Sequence, residues 1–222
     1  MKATVFRSGI IDHTILKPDA TAKTVERFCG EAAQYRFRSV CVNPCRVSLA
    51  VSLLRGEHPF VCSVAGFPLG AGPATALEAE RAVSLGAGEI DMVLPIGHLK
   101  DGDTGAVLRL LKDTVKAAAV PVKVIIEACL LTDPEKALAC RLSMEAGAAC
   151  VKTSTGFSVA GAVASDVSLM RRTVGPDLQV KASGGIRTLE EAVTMITAGA
   201  TILGTGTGVQ IMREYEERRP EG

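Results

Sequence analysis

The chain has no tryptophan and only 4% aromatic residues, so Val, Ile, Leu and Ala must fill whatever core it builds. It has no surplus of one charge: 25 Lys and Arg stand against 24 Asp and Glu. That balance removes the electrostatic case for nucleic acid or a membrane surface as a general partner. An anionic small molecule stays open, because local charges can converge in one pocket. No stretch approaches the roughly 18 apolar residues of a spanning helix. The opening "MKATVFRSGIIDHT" has no apolar secretory core. The seven cysteines form no CxxC pair, and Cys41 and Cys45 lack a second pair at zinc-finger spacing. His13, His58 and His98 show no metal spacing, and there is no P-loop pattern. A cytoplasmic location is expected, with reduced thiols serving as small buried hydrophobes.

What is present is a repeat. The chain has 222 residues, 47% of them hydrophobic, which suits one α/β barrel domain spanning 1–222. Short β-branched runs recur: "IIDHTI" at 10–15, "SVCVN" at 39–43, "FVCSVAG" at 60–66 and "EIDMVL" at 89–94. "VKVIIEA" at 122–128, "CVKTS" at 150–154, "QVKAS" at 179–183 and "TILGT" at 201–205 follow. Ala-, Leu- and Glu-rich segments with helical spacing lie between most of them. Thr132 with Glu135 and Thr188 with Glu191 read as capping boxes, with Pro134 in the first turn of its helix. Gly86, Gly147 and Gly199 each stand where a helix should stop before a strand. Strand and helix in alternation predict βα units and a parallel sheet. Eight such runs favour a closed (β/α)8 barrel, with an open doubly wound sheet as the alternative. In a barrel, functional groups belong at the C-terminal ends of the strands.

Alternation along the strands then picks out three side chains. If Ile90 and Met92 pack under helices, Asp91 points inward with Glu89 and Val93. The same reasoning sends Lys152 inward between Val151 and Thr153, and Lys181 inward between Val180 and Ala182. A bland reading is available: lysine stems lying on the barrel with their ammonium groups at the rim, and a buried ion pair for the acid. Yet two close lysines disfavour each other's protonation, and burial acts the same way. A neutral lysine attacks a carbonyl to form a Schiff base, with an acid such as Asp91 to relay protons. The "SGG" after the seventh run and "GTGTG" after the eighth fit a phosphate held by backbone N–H groups. Tight turns are the plain alternative for either. "GTGTGV" is not a dinucleotide fingerprint, since Val209 stands where the last glycine belongs. "DGDTG" at 101–105 is not a calcium loop, since its twelfth position is Lys112.

"DHTILKPDAT", "VCVNP", "GFPLG", "EIDMVLPIG", "VKVIIEACLLT", "VKTSTGF", "VKASGGIR" and "ILGTGTG" occur in order over nearly the whole chain. Together they resemble the deoxyribose-phosphate aldolase family. The resemblance implies a TIM barrel and a carbon–carbon lyase of deoxyribonucleotide and carbohydrate degradation. It would reversibly cleave 2-deoxy-D-ribose 5-phosphate to D-glyceraldehyde 3-phosphate and acetaldehyde, with neither cofactor nor metal, as a homo-oligomer. By the same resemblance Lys152 is the Schiff-base lysine, Lys181 its perturbing partner and Asp91 the proton relay. Asp12, Thr14 and Asn43 would meet the sugar, and Gly156, Gly184, Gly185, Gly204 and Thr205 the phosphate. Lys123 and Glu127 read as a supporting polar pair, with Lys123 the second choice for the reactive lysine. Two departures touch the phosphate side: Gly206, where the family often has serine, and "SVAGAVAS", where it often has Gly-Gly-Ala-Thr. Another Schiff-base aldolase or transaldolase, or a barrel that only binds a phosphorylated sugar, are the competing functions.

Overall fold

Eight parallel strands pair in chain order, and the first closes on the last. The computed structural model describes residues 6–55 and 58–218. The strands are β1 (Ile11–Ile15), β2 (Ser39–Val42), β3 (Phe60–Ala65), β4 (Glu89–Val93), β5 (Val122–Ile125), β6 (Cys150–Lys152), β7 (Gln179–Ser183) and β8 (Ile202–Thr205). Each forms within one of the β-branched runs. The helices around them are α1 (Ala22–Tyr35), α2 (Val47–Leu53), α3 (Thr75–Ser84), α4 (Ile96–Lys100), α5 (Thr104–Ala118), α6 (Asp133–Glu145), α7 (Ala164–Val174), α8 (Leu189–Thr197) and α9 (Gly208–Glu217). The architecture is the (β/α)8 barrel. Among the described residues no helix is long and apolar enough to cross a membrane.

The alternation of side chains divides the core in two. Val40, Val42, Ile90, Met92, Val124, Val151, Val180, Ala182 and Leu203 join the layer packed beneath the helices. Leu16, Cys41, Cys62 and Val64 form a separate small apolar cluster, with Phe67 against it. Helix ends follow the sequence signals. The Glu135 carboxylate accepts from the Thr132 backbone N–H at 2.7 Å, and Glu191 does the same for Thr188 at 3.0 Å. Gly86 and Gly199 take φ of +104° and +114°, which ends α3 and α8 at little steric cost.

β5 falls furthest short of its apolar run. β5 stops at Ile125, and Glu127 takes φ +50° and ψ +62°, the left-handed region. The chain keeps contact with β6 across that turn: Ile126 N–H donates to the Lys152 carbonyl and Ala128 N–H to the Thr153 carbonyl.

Candidate active site

The register of the sheet assembles the charged groups. Asp91 on β4 pairs with Lys123 on β5, and Lys152 on β6 pairs with Lys181 on β7. Neighbouring strands lie about 4.8 Å apart, so side chains on the same face of paired residues meet. Asp91 Oδ2 accepts from both Lys152 Nζ and Lys181 Nζ at 2.8 Å, and its Oδ1 accepts from Lys123 Nζ at 2.9 Å. Lys181 also reaches Asp12 Oδ2 at 2.6 Å. Asp12 Oδ1 accepts from Ser39 Oγ at 2.7 Å and from Arg38 at 3.0 Å. Glu89 completes the set, held by the Arg38 guanidinium and by Lys123 at 2.5 Å. Asp12, Asp91 and Lys181 are fully buried, and Lys123 and Lys152 nearly so.

This network sets the charge states of its members. Burial alone would push the Asp91 carboxyl upward, but the ammonium groups of Lys123, Lys152 and Lys181 hold it well below the usual carboxylate range. Asp12 is likewise lowered against its burial, first by Lys181 and then by Lys123 and Arg38. Burial would lower Lys181 and Lys123, yet the surrounding carboxylates raise both. Four cations, Arg38, Lys123, Lys152 and Lys181, meet three carboxylates, Asp12, Glu89 and Asp91. Arg38, Lys123 and Lys181 each touch two carboxylates or more. Lys152 touches Asp91. It is therefore the network cation with the fewest carboxylate partners.

Lys152 is also the network lysine that faces open space. A cavity of about 210 Å³ is lined by Lys152, Thr14, Gly156, Gly184, Gly185, Gly204 and Thr205, together with Thr155, Ser183, Ile186, Arg187, Gly206 and Thr207. All five residues assigned to phosphate by resemblance thus share one wall system with the candidate nucleophile. Asp91 and Lys181 lie beneath it, and Asp12 lies deeper, against Lys181 and Arg38. Asn43 does not line the cavity; its amide donates to the Leu16 carbonyl at 3.0 Å.

Glycine has a steric reason at two of these places. A Cβ on Gly204 would come within 3.0 Å of Lys181 Cε, so the bare backbone gives that lysine its path. Gly184, at φ +85°, packs on Gly161, where a Cβ would stand 2.2 Å from the Gly184 carbonyl oxygen. Gly161 belongs to the divergent "SVAGAVAS" stretch, and Ala162 N–H there donates to the same carbonyl at 3.0 Å. The stretch departs in sequence yet still braces the turn after β7.

Lys123 and Glu127 do not pair. Lys123 points to Asp91 and Glu89, whereas the left-handed turn at Glu127 carries its carboxylate to Thr155 on the β6 loop. Arg38, Glu89, Thr155 and Arg187 are site residues that the sequence pattern does not single out. The alternation that selects Asp91 also puts Glu89 on its face; Arg38 gives no local signal. Cys41, Cys62 and Asp91 place ligand atoms within 4.8 Å of one another, a grouping that sequence spacing hides. They make a poor cation cradle, because Asp91 is already held by three ammonium groups and Lys123 Nζ lies 3.3 Å from Cys62 Sγ.

A parallel barrel with a buried lysine–carboxylate network beneath a glycine-walled cavity has the architecture of a lysine-dependent aldolase. Residues 9–215 match the model of the DeoC/LacD family aldolases, and the chain belongs to that family. It is 57% identical over 205 residues to the deoxyribose-phosphate aldolase of Streptococcus suis strain 98HAH33, covering 91% of this chain and 93% of that one. The enzyme of that name from Methanothermobacter thermautotrophicus is 54% identical over 211 residues, covering 94% of each. Among solved structures, the tetrameric deoxyribose phosphate aldolase from Aeropyrum pernix superposes with a TM-score of 0.88. It is 35% identical, over 94% of this chain and 90% of that one.

Proposed function

We propose that this barrel catalyses the reversible aldol cleavage of 2-deoxy-D-ribose 5-phosphate to D-glyceraldehyde 3-phosphate and acetaldehyde, through a Schiff base on Lys152. The observation that carries the reading is the position of Lys152. It alone among the network lysines lines the cavity, and it touches one carboxylate where the others touch at least two. The relatives' shared name supplies the substrate, and the cavity wall of backbone amides suits its phosphate.

The neutral amine attacks C1 of the open-chain sugar, and loss of water gives the imine. The iminium draws electrons from the C2–C3 bond as a base takes the C3 hydroxyl proton; glyceraldehyde 3-phosphate leaves, and an enamine remains on Lys152. Protonation at C2 and addition of water release acetaldehyde and restore the amine. Asp91 Oδ2 bridges Lys152 and Lys181 at 2.8 Å to each, which makes it the path for protons between them. Lys181 keeps a positive charge beside the nucleophile and anchors Asp91 against Asp12.

The tetrameric relative supports self-association, which sedimentation would test, and seven free cysteines fit a reducing cytoplasm. The test of the chemistry is borohydride reduction in the presence of acetaldehyde, followed by peptide mapping. Inactivation with the adduct on Lys152 is expected; an adduct mainly on Lys123 or Lys181 would overturn the assignment.

A further inference from the structure

We infer that Glu127 is a positioning residue for the phosphate end of the substrate: its carboxylate, turned out of β5, holds the Thr155–Phe157 turn that walls the cavity. Three described non-glycine residues have positive φ. Two of them, Arg36 and Ala119, are C-caps of α1 and α5, where such a conformation commonly ends a helix. Glu127 is the third, two residues past the end of β5, where it caps the short 3-10 turn Ala128–Leu130. A side chain is disfavoured there, so the position is held by its surroundings.

Those surroundings are the loop that follows Lys152. The Glu127 carboxylate accepts from the Thr155 hydroxyl, and both its oxygens lie 3.3 Å from the Thr155 backbone N–H. The Thr155 hydroxyl in turn accepts from the Phe157 N–H at 3.0 Å. Gly156, at φ +84°, sits inside this turn, and a Cβ there would stand 4.0 Å from Gly184 Cα, so the two glycine turns pack against each other in the cavity wall. Glu127 is 2% exposed, so these bonds form away from bulk water and set the loop firmly. The carboxylate therefore fixes how far the Gly156 backbone stands from the glycine turn after β7. A phosphate seated on that shared wall would meet backbone groups of both turns.

The inference rests on the aldolase reading for its substrate, but phosphate binding can be read without any Schiff base. Titration with inorganic phosphate is compared for the wild-type chain, Glu127→Gln and Glu127→Gly. The glutamine keeps one acceptor oxygen; the glycine relieves the left-handed backbone and removes the acceptor. Hydrogen bonds to a charged group are strong enough for Glu127→Gly to weaken phosphate binding about tenfold or more. Glu127→Gln should fall between it and wild type. In kinetics the loss should appear as a higher KM for deoxyribose 5-phosphate, with the preference over unphosphorylated deoxyribose reduced by a similar factor. Unchanged phosphate affinity in both variants would overturn the inference. So would equal losses on the two sugars with phosphate affinity intact. Failure of acetaldehyde trapping on Lys152 would count against the Schiff-base assignment and leave the phosphate titration as the judge of Glu127.

Discussion

Below Lys152 the barrel packs four cations and three carboxylates almost out of reach of solvent. Above it, the cavity wall is mostly glycine, threonine and serine, with Arg187 as its second cationic side chain. The two regions meet at one residue and use different physics. The interior is fixed by strand register, so its charges are placed to within a hydrogen bond; on the proposed reading they tune reactivity. The mouth is fixed by turns and loop-to-loop hydrogen bonds; on the proposed reading it recognises the phosphate through backbone groups. Chemistry and recognition can therefore be damaged separately, and substitutions in each region test that separation.

The largest effect is expected in the interior. Asp91→Asn leaves three ammonium groups facing a neutral amide. Breaking a buried charge cluster in this way costs about 3–5 kcal/mol, which denaturant unfolding would report. Exchange of deuterium into acetaldehyde should slow in the same variant; unchanged exchange would remove Asp91 from the proton path. Acid should act on the same region in the wild-type chain. Asp12 and Asp91 lie below the unfolded carboxylate value of about 3.9. The stability they contribute is present above that value and is lost as pH falls toward their folded values. A melting temperature that falls steeply below about pH 4 is the expected record. A flat profile would mean that the network does not favour the charged forms. The smallest effect belongs to the mouth. Gly206 has no positive φ, but a Cβ there would stand 3.1 Å from the Thr14 carbonyl oxygen, so Gly206→Ser costs a slight local shift. One added hydroxyl near the anion should steepen the preference for deoxyribose 5-phosphate over deoxyribose by no more than about tenfold. The measurement is kcat/KM for both sugars in both proteins. A loss for both sugars alike would show that the mouth and the interior are not separable at this point.

The same division separates what is legible in the sequence from what is not. Strands announce themselves as β-branched runs, and period-two alternation along them is enough to point Asp91, Lys152 and Lys181 inward. Capping boxes at Thr132 and Thr188 are local and equally plain. Arg38 and Glu89 meet across 51 positions in the chain, and only the alignment of β2 and β4 on either side of β3 brings them together. Asp12 is legible as a site residue but not as the deep partner of Lys181, because that depends on which strand closes on which. Reading Lys123 and Glu127 as a polar pair on one strand fails, since it assumes that β5 continues where the backbone in fact turns left-handed. Gly161 is hidden because its role is a contact with Gly184, not a local pattern.

Lys152 reacts, on the proposed reading, because it lines the cavity, has one carboxylate partner and shares that carboxylate oxygen with a second ammonium group. Lys181→Leu removes the ammonium group that shares Asp91 Oδ2 with Lys152, and with it the repulsion between the two cations. The direct measurement is the rate of borohydride trapping with acetaldehyde across pH, in wild type and in this variant, with folding checked by circular dichroism. The acid limb of the profile should move to higher pH in Lys181→Leu; a shift of one unit corresponds to about 1.4 kcal/mol and lowers the rate near neutral pH up to about tenfold. An acid limb that stays at its wild-type position would contradict the claim, because Lys152 would then be reactive for reasons that the network does not supply.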